Sequence, residues 1–527
     1  MRSLRESREI LSSGGPAPCR TGQRALAIAA ATLAGALSLV AAERALHLVA
    51  LGHVDEDVAT YWYAAQEFAH LHFREPFFYG QAYHHLGEAL LAAPLVAVGA
   101  PVWVVPTLVS TLVGLTPWVL LAVVAWRRGL CALAVLFLAA PALMPAGYGV
   151  LLTRFFGMGL MLVTAALTIA ELGRAPARWV VVGALVTLGV LSVPNALLLA
   201  APVGVWLLLR ARRGRRDGLL FAAGVGAGAV AWALGRWFYA LHPSWALHPA
   251  PVPRLRWELL RDGLQHLPRH LTRVTPEILL HPAVPLVGLA ALAVLAAVRR
   301  RATVALAAGA TLSTFLVLLA TERVHNATPS VFYSYERAFL GMPLATACVV
   351  LLAAIEGLIP RPRGRLPPIL GAAVILGAAI WGLFQAGPEL SREGAIPETV
   401  LDDARTPDLV RSCRSIESLA LSTGADLVIF AVHRTGAYGC GAISYDRLTT
   451  LFPPYDRRTW LLLGEAHRTR DRLLLVDVEP SPTCRLVRTR VPGARCQAAG
   501  SNGVLVSDGP GSSIDFARWV GIPVRAF

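Results

Sequence analysis

Residues 54–87 read VDEDVATYWYAAQEFAHLHFREPFFYGQAYHHLG and follow the first strongly apolar segment of the chain. Three adjacent acids, Asp55, Glu56 and Asp57, lie at the start of this stretch, which is otherwise rich in aromatic residues and histidine. Ionisable groups beside apolar segments are costly to desolvate, and they are candidates for a functional role by default. The stretch is therefore the first candidate for a functional site, and the rest of the chain indicates what kind of protein surrounds it.

The composition is typical of a membrane protein with several spans. Of the 527 residues, 55% are hydrophobic and 15% are charged, whereas soluble domains carry about 25% charged residues. All 48 basic residues are arginines, many of them clustered beside apolar runs, and the net charge is +15. Such clusters are expected in the cytoplasmic loops of a membrane protein. We therefore attribute the positive charge to membrane topology and expect no nucleic-acid partner.

Eleven apolar segments approach the length of about 20 residues that a membrane span needs. They are residues 25–43, 103–126, 129–147, 156–172, 178–194, 196–210, 219–241, 281–298, 302–320, 340–358 and 368–386. Another apolar segment, residues 86–100, is short and contains Glu88 and Pro94. Arginine clusters favour the cytoplasm. If this segment crossed the membrane, five clusters would lie outside: 127–128, 174 with 178, 210–216, 299–301 and 361–365. The segment is therefore predicted not to cross.

This topology predicts the domain organisation. Residues 1–24 form a cytoplasmic tail, residues 25–386 a transmembrane domain with an outer catalytic loop at 44–102, and residues 387–527 an extracytoplasmic domain. In the last region ADLVIFAV, RLLLVDVEP and NGVLVSD are typical of short buried strands, and LVRSCRSIESLALSTG of a helix capped by Gly424. The predicted fold is an all-α polytopic membrane protein with a small C-terminal α/β domain.

Four cysteines lie in the predicted C-terminal domain: Cys413, Cys440, Cys484 and Cys496. An even number of cysteines in one polar domain is typical of disulfides in an oxidising compartment. Three pairings are possible, and proximity in the chain favours Cys413 with Cys440 and Cys484 with Cys496. The alternative is that all four are buried free thiols.

The three acids allow two interpretations. Acids in the first turn of a helix stabilise it by complementing its dipole, and VATYWYAAQEFAHL has the spacing of a helix. In the functional interpretation, one carboxylate accepts the proton of an acceptor hydroxyl, and partial burial beside aromatic residues raises its pKa. We rank Asp55 first as this base and Glu56 second, and we expect Asp57 to serve the start of the helix.

The order of these features resembles the GT-C superfamily of multi-span glycosyltransferases. An acidic pair after the first span is followed by FFYGQAYHHLGEALLAAPLVAVGAP at 77–101, and the likeness is greatest to bacterial relatives of protein O-mannosyltransferases and aminoarabinose lipid A transferases (glycosyltransferase family 39-like). The resemblance implies a polyprenyl-phosphate-linked sugar as donor and Asp55 with Glu56 as the catalytic acids. SYERAFLGMPLA at 334–345 is similar to the family's Arg-aromatic stretch, which makes Arg337 the first candidate for a donor phosphate contact.

Other candidate contacts come from the outer loops. Gln81 and Tyr83 are neutral side chains suited to a sugar or phosphate, and Arg154 stands in the next outer loop, where many relatives carry a second acid. Because a divalent cation prefers several oxygen ligands, we expect no obligatory metal. The histidines of the first loop, His53, His70, His72, His84 and His85, lack a ligand spacing such as HExxH and are expected to be bystanders.

The predicted function is therefore transfer of a sugar from a polyprenyl-phosphate donor to an acceptor hydroxyl at the outer face of a bacterial inner membrane. The acceptor can be a glycan, a lipid or a protein, and membrane lipid is a further partner. Two alternatives remain: a transporter or flippase for a polyprenyl lipid, and a non-catalytic membrane assembly partner. Transporters commonly place broken helices at the bilayer midplane, and Pro194–Asn195 is a candidate break.

Overall fold

The structure is a computed structural model that describes residues 21–81, 83–212, 214–247, 254–279, 281–321, 338–359, 366–394, 404–491, 493–500, 502–508 and 512–525. The chain is mostly helical and divides into two compact units. The first unit contains the described residues of Met1–Ala45, Thr111–Val230 and Pro253–Arg392. The second contains those of Leu46–Ser110, Ala231–Val252 and Glu393–Phe527.

The α-helices, in chain order, are α1 Thr21–Ala45, α2 Glu56–Ala69, α3 Gly87–Ala97, α4 Val105–Arg127, α5 Cys131–Leu143, α6 Ala146–Leu152, α7 Gly157–Leu172, α8 Arg178–Ser192, α9 Leu197–Ala211, α10 Arg215–Leu241, α11 Trp257–Gln265, α12 Leu267–Leu271, α13 Val284–Val298, α14 Ala302–Leu319, α15 Met342–Ile355, α16 Leu366–Gly394, α17 Thr406–Thr423, α18 Arg434–Ile443, α19 Thr459–Ala466, α20 Pro480–Arg490 and α21 Ser513–Trp519. The strands are β1 His53–Val54, β2 Ala404–Arg405, β3 Leu427–Phe430, β4 Thr449–Leu451, β5 Arg472–Val476, β6 Arg495–Ala498 and β7 Gly503–Ser507.

Five helices in the described part of the chain are long and apolar enough to cross a membrane. They are Arg24–Ala50, Val105–Arg127, Arg215–Leu241, Ala302–Leu319 and Gly371–Ser391, and the bent pair α5–α6 makes a sixth if it counts as one span. Each of the remaining segments predicted to cross also contains a helix. These helices are shorter than a typical span, so the number eleven stays a prediction. The apolar helix α3 has 11 residues, which extend about 16 Å, and the hydrocarbon core is about 30 Å thick. It is the shortest of the apolar helices in the described part of the chain that fall below the length of a span, and its position on the outer side stays a prediction.

The segment predicted as one continuous span at 129–147 is bent instead. Helices α5 and α6 meet at an angle of 96°, and the residue after α5, Met144, has an extended backbone with ψ of 156°. Pro145 follows at the N-terminus of α6, and a residue before proline is disfavoured in the helical conformation. Helix α6 continues to Leu152, so the residues just after the predicted span are helical.

Glycines bring the helices of the first unit into close contact. A Cβ atom on Gly159 would lie 2.7 Å from the carbonyl oxygen of Gly189, and one on Gly189 would lie 2.9 Å from that of Gly159. A Cβ atom on Gly157 would lie 2.9 Å from Gly114. Small residues at helix interfaces are typical of membrane proteins, in which van der Waals packing contributes strongly to helix association.

Glu171 joins the C-terminal ends of α4, α7 and α9 within the first unit. Its carboxylate forms ion pairs with Arg128 and Arg210, the latter at 2.6 Å, and accepts a hydrogen bond of 2.8 Å from the indole nitrogen of Trp206. The Glu171 side chain is only 1% exposed. Two arginine clusters that the sequence predicts on one side of the membrane thus meet at one buried acid.

The second unit contains a mixed five-stranded sheet in the order β4-β3-β5-β7-β6. Strand β3 is parallel to β4 and β5, while β7 is antiparallel to β5 and β6. Helix α17 ends in Gly424, whose φ of 68° is the left-handed conformation that glycine adopts readily. These elements form the predicted α/β domain, and its disulfides are Cys413–Cys440 and Cys484–Cys496, the pairs that proximity favours.

The stretch after the first apolar helix belongs to the same compact unit as the α/β elements. Strand β1 pairs antiparallel with β2, so that His53 faces Arg405. The backbone nitrogen of Thr406 donates to the carbonyl oxygen of Gly52 at 2.9 Å. Residues 46–110 thus belong to the same compact unit as the C-terminal region. The predicted domains, in contrast, place most of these residues with the apolar helices.

A fully buried arginine holds α2 against the C-terminal elements. The guanidinium carbon of Arg458 lies 4.5 Å from the ring centre of Tyr63 in α2 and 4.7 Å from that of Tyr438 in α18. Its Nε and Nη2 donate to the Asp456 carboxylate at 2.9 and 2.7 Å, and Nη2 also donates to the carbonyl oxygen of Thr450. This arrangement fixes the position of α2 and of the acids at its start.

Candidate active site

Asp55 caps the N-terminus of α2. One of its carboxylate oxygens accepts a hydrogen bond of 2.8 Å from the backbone nitrogen of Val58, and its backbone is extended. A side-chain oxygen at this position satisfies one of the amide groups that the first turn leaves unpaired. Asp55, which was ranked first as the base, thus serves the start of the helix, the role that was expected for Asp57.

Glu56 is buried beside two arginines. Its carboxylate forms ion pairs with Arg457 at 2.7 Å and with Arg434 at 2.9 Å, and the residue is 5% exposed. Burial raises the pKa of Glu56 to about 7, and this effect outweighs the two arginines, which lower it. Near neutral pH the carboxyl group is therefore present in both protonation states, which is the condition that a general base or acid needs.

Asp57 lies in the first turn of α2, as expected, and also pairs with Arg457 at 2.7 Å. The guanidinium group of Arg457 thus bridges two consecutive acids, and it lies 5.2 Å above the ring of Phe78. Beside it, Gly80 has a φ of 72°, and a Cβ atom there would lie 3.1 Å from Cβ of Arg457. A glycine at position 80 therefore suits both the backbone conformation and the close approach of the arginine.

Arg434 and Arg457 are site residues that the sequence interpretation did not identify. The sequence pattern pointed to arginines in the loops between spans, whereas these two belong to the C-terminal domain, at the start of α18 and just before α19. The pair Arg457–Arg458 follows Asp456 in YDRR, and an acid beside two bases in an otherwise apolar context is the signal that could have drawn attention to it.

The remaining predicted contacts are dispersed or not described. Gln81 is half-buried, and its backbone nitrogen donates to the carbonyl oxygen of Phe78 at 2.8 Å; Tyr83 is also half-buried. Arg154 is buried in the first unit, with its guanidinium group 5.1 Å from the ring centre of Phe155. Arg337 lies outside the described residues. Their roles as substrate contacts stay predictions.

The histidines of the stretch contact neighbouring protein groups. Nε2 of the buried His84 lies 3.1 Å from the Tyr61 hydroxyl. His70 stacks on Tyr445 with ring centres 4.8 Å apart. Within the described part of the chain, no cluster of three or more histidine, cysteine, aspartate or glutamate residues could hold a metal ion.

Comparisons with models of known protein families and with characterised protein sequences found no match to this chain. The observations that bear on function are therefore the apolar helices and the geometry of the second unit. Together they define a membrane-associated chain with a buried cluster of acids and arginines at the start of α2.

Proposed function

We propose that the chain is a membrane glycosyltransferase that moves a sugar from a polyprenyl-phosphate donor to an acceptor hydroxyl. The observation that carries this proposal is Glu56, a buried carboxyl with a pKa raised to about 7 beside two arginines. A base with a pKa near the working pH is suited to accept a proton in the transition state. Arginine is suited to a phosphate leaving group.

In the proposed reaction, Glu56 accepts the proton of the acceptor hydroxyl while the acceptor oxygen attacks the anomeric carbon of the sugar. The bond between that carbon and the donor phosphate oxygen breaks, and the polyprenyl phosphate leaves with the electron pair, so the anomeric configuration inverts. Arg434 exposes 25% of its side chain, whereas Arg457 exposes 6%. We therefore assign the phosphate contact to Arg434 and the positioning of Glu56 to Arg457, with Arg337 as the further phosphate contact that the resemblance implies.

The proposed membrane topology has eleven spans, a cytoplasmic N-terminus and an extracytoplasmic C-terminal domain in a bacterial inner membrane. Glu171 supports this topology because it joins the C-terminal ends of α4, α7 and α9. Two apolar segments separate each of these ends from the next along the chain. If every segment crosses once, the three ends lie on the same side.

Mass spectrometry of cell-envelope glycans tests the function. Cells that lack the protein should miss one sugar substituent, and Glu56→Gln should fail to restore it although the protein is present with both disulfides formed. Asp408→Asn is the matched control, because Asp408 is exposed on α17 of the same unit and pairs only with Arg411 among the described residues. Full restoration by Glu56→Gln would contradict the assignment of Glu56.

A polyprenyl-lipid transporter is the second candidate. The 96° bend between α5 and α6 favours it, since broken helices commonly form the binding sites of transporters. Reconstituted vesicles separate the two functions: a transporter moves a labelled polyprenyl-phosphate sugar across the bilayer without an acceptor, whereas a transferase releases polyprenyl phosphate only when an acceptor is present. Movement without transfer would favour the transporter.

A further inference from the structure

An open groove in the second unit is distinct from the acid cluster. It has a volume of about 610 Å³ and is formed by the end of α2, residues 73–76, the start of α3 and residues 231–238 of α10. Glu56 lies in the first turn of α2, whereas the groove begins at Phe68, twelve residues later. At a rise of 1.5 Å per residue, this end of the groove lies about 18 Å from Glu56 along the helix. The polar end of the groove is nearer to the acid cluster, because Gly80 both donates to Glu75 and packs closely against Arg457.

Most of the groove is apolar and continuous with an exposed apolar surface. Phe68, Phe73, Leu90, Leu234 and Phe238 line it. Phe73, Leu90 and Leu234 are exposed by 63%, 48% and 56%. In a membrane-associated chain an exposed apolar surface is open to lipid chains, and a groove of this size and lining suits the chain of an amphiphile.

Three polar side chains also line the groove: Arg74, Glu75 and His85. The charge of Arg74 is balanced by Glu67, to which its Nε donates at 2.9 Å, and its guanidinium group stacks over Trp460 at 4.7 Å. Among the residues that the structure describes, no further charged residue lines the groove. The charge of Arg525 also acts on Glu75, but Arg525 does not line the groove. The lining side chains themselves thus carry no unbalanced positive charge, which favours a neutral head group over an anion.

Glu75 offers a hydrogen-bond donor. Its Oε2 accepts from the Tyr239 hydroxyl at 2.6 Å and from the backbone nitrogen of Gly80 at 3.1 Å, whereas Oε1 has no partner among the described residues. The residue is 6% exposed, and burial raises its pKa to about 8. At neutral pH the proton therefore resides on Oε1, because Oε2 is occupied by two donors.

His85 offers a hydrogen-bond acceptor. Its Nδ1 lies 3.2 Å from the carbonyl oxygen of Pro76. Because a carbonyl oxygen only accepts, Nδ1 carries the hydrogen, and Nε2 has a lone pair with no partner among the described residues. Burial lowers the pKa of His85, so the ring stays neutral. A buried donor and a buried acceptor that stay unpaired each destabilise the protein without a ligand.

We propose that this groove binds the apolar chain of a hydroxyl-bearing amphiphile, whose hydroxyl group accepts a hydrogen bond from Glu75 and donates one to His85. A hydroxyl satisfies both groups because it is donor and acceptor at once. An ether satisfies only Glu75, and an ionised phosphate or carboxylate offers no hydrogen to Nε2 of His85. The site is a binding site in its own right and does not depend on sugar transfer at Glu56.

Photoaffinity labelling of the full chain in lipid nanodiscs tests the proposal. A diazirine derivative of farnesol is the probe, and unlabelled farnesol, farnesyl methyl ether and farnesyl phosphate are the competitors, since all three share one apolar chain. Labelling should map to residues 68–90 and 231–238, and farnesol should compete about tenfold better than the ether, as expected for one lost hydrogen bond. The experiment contains no sugar donor, so failure of the transferase proposal would not affect it.

Variants separate the polar contacts from simple lipid adhesion. Glu75→Gln keeps an acceptor for Tyr239 and gains an amide donor, so it should retain labelling, whereas Glu75→Leu and His85→Phe should each reduce it about tenfold. Ala231→Trp should block the groove without touching its polar groups, and Leu241→Trp on the same helix but outside the groove is its matched control.

Three results would overturn the proposal. Equal competition by farnesol and the ether would mean that the groove only adheres to lipid chains. Tighter competition by farnesyl phosphate, lost in Arg74→Gln, would mean that it is an anion site. Labelling that Ala231→Trp leaves unchanged would place the probe outside the groove.

Discussion

Replacing Asp456 by asparagine is expected to destabilise the second unit strongly, because it leaves the charge of Arg458 buried without a counter-ion. Both side chains are 0% exposed, and the aspartate accepts three hydrogen bonds from Arg458 and a fourth, of 3.0 Å, from the backbone nitrogen of Phe452. The asparagine amide group would present hydrogens to at least one of these donors. Removing one partner of a buried ion pair costs about 3–5 kcal/mol.

The disulfide Cys413–Cys440 provides the assay. Both cysteines are at most 1% exposed, so dithiothreitol reduces the bond only in molecules whose second unit has opened. When closing is fast, the reduction rate follows the open population. A loss of 3–5 kcal/mol corresponds to reduction that is faster by a factor of roughly 150 to 5,000. The full chain in detergent micelles is the sample.

Asp408→Asn provides the control, because Asp408 and Arg411 form an ion pair of the same kind at 3.2 Å on the surface of α17. An exposed pair contributes at most about 1 kcal/mol, or roughly fivefold in rate. The double variant Asp456→Asn with Arg458→Met should recover part of the loss, since it removes the stranded charge. A rise below tenfold in Asp456→Asn would refute the reasoning that Arg458 depends on Asp456.

Three further predictions concern Asp55, Glu75 and divalent cations. Asp55→Asn keeps an oxygen for the helix cap and should retain both stability and transfer. Asp55→Ala should lower the free energy of unfolding by about 0.5–2 kcal/mol. Loss of transfer in Asp55→Asn, measured by envelope glycan analysis, would indicate that Asp55 is the base. Because the folded-state pKa of Glu75 is raised from 4.5 to about 8, its contribution to stability is full below pH 4.5 and lost as the pH rises to 8. Denaturant titrations should show a decrease of about 5 kcal/mol over that range that is absent in Glu75→Gln. Sugar transfer should persist in the presence of a chelator of divalent cations. If the chelator abolishes transfer and magnesium or manganese restores it, a metal is required.

The sequence predicted the elements whose pattern is local. Each apolar segment predicted as a span contains a helix, and the three strands β3, β5 and β7 lie within the predicted patterns, because uninterrupted apolar runs between polar turns indicate buried strands. The edge strands β4 and β6 were missed. They have three and four residues, and β6, RCQA, has only one buried residue, so no hydrophobic pattern distinguishes them from a loop.

The sequence identified the acids of the site but not their roles or partners. An N-cap is defined by a single residue, so a shift of the helix start by one position exchanges the tasks of Asp55 and Asp57. Arg457 lies 400 positions from Asp57, one of the two acids that it pairs with. No local sequence pattern can indicate such a contact. The arginine partners therefore required the three-dimensional structure, in which α2 packs against α18.

The effect of Glu56 on the free energy of unfolding distinguishes a catalytic base from a structural clamp, meaning an acid whose ion pairs hold α2 in place. A rise of its pKa from 4.5 to about 7 means that ionised Glu56 costs the folded state about 3 kcal/mol above pH 7 relative to the unfolded state, and that this cost disappears below pH 4.5. Glutamine at this position resembles the protonated acid. Glu56→Gln should therefore be more stable than the parent chain at pH 8, by about the same amount, and equally stable at pH 4.5.

A carboxyl that costs stability at working pH is expected at a site where activity needs it, because stability and activity commonly conflict there. A structural clamp predicts the opposite result, since Glu56→Gln would leave Arg434 and Arg457 with one acid fewer and would lower stability at pH 8. Denaturant titrations at pH 8 and 4.5, combined with the glycan assay, distinguish the two. A variant that is more stable but inactive indicates a base, and one that is less stable at pH 8 indicates a clamp whose loss of activity follows from misplacing α2.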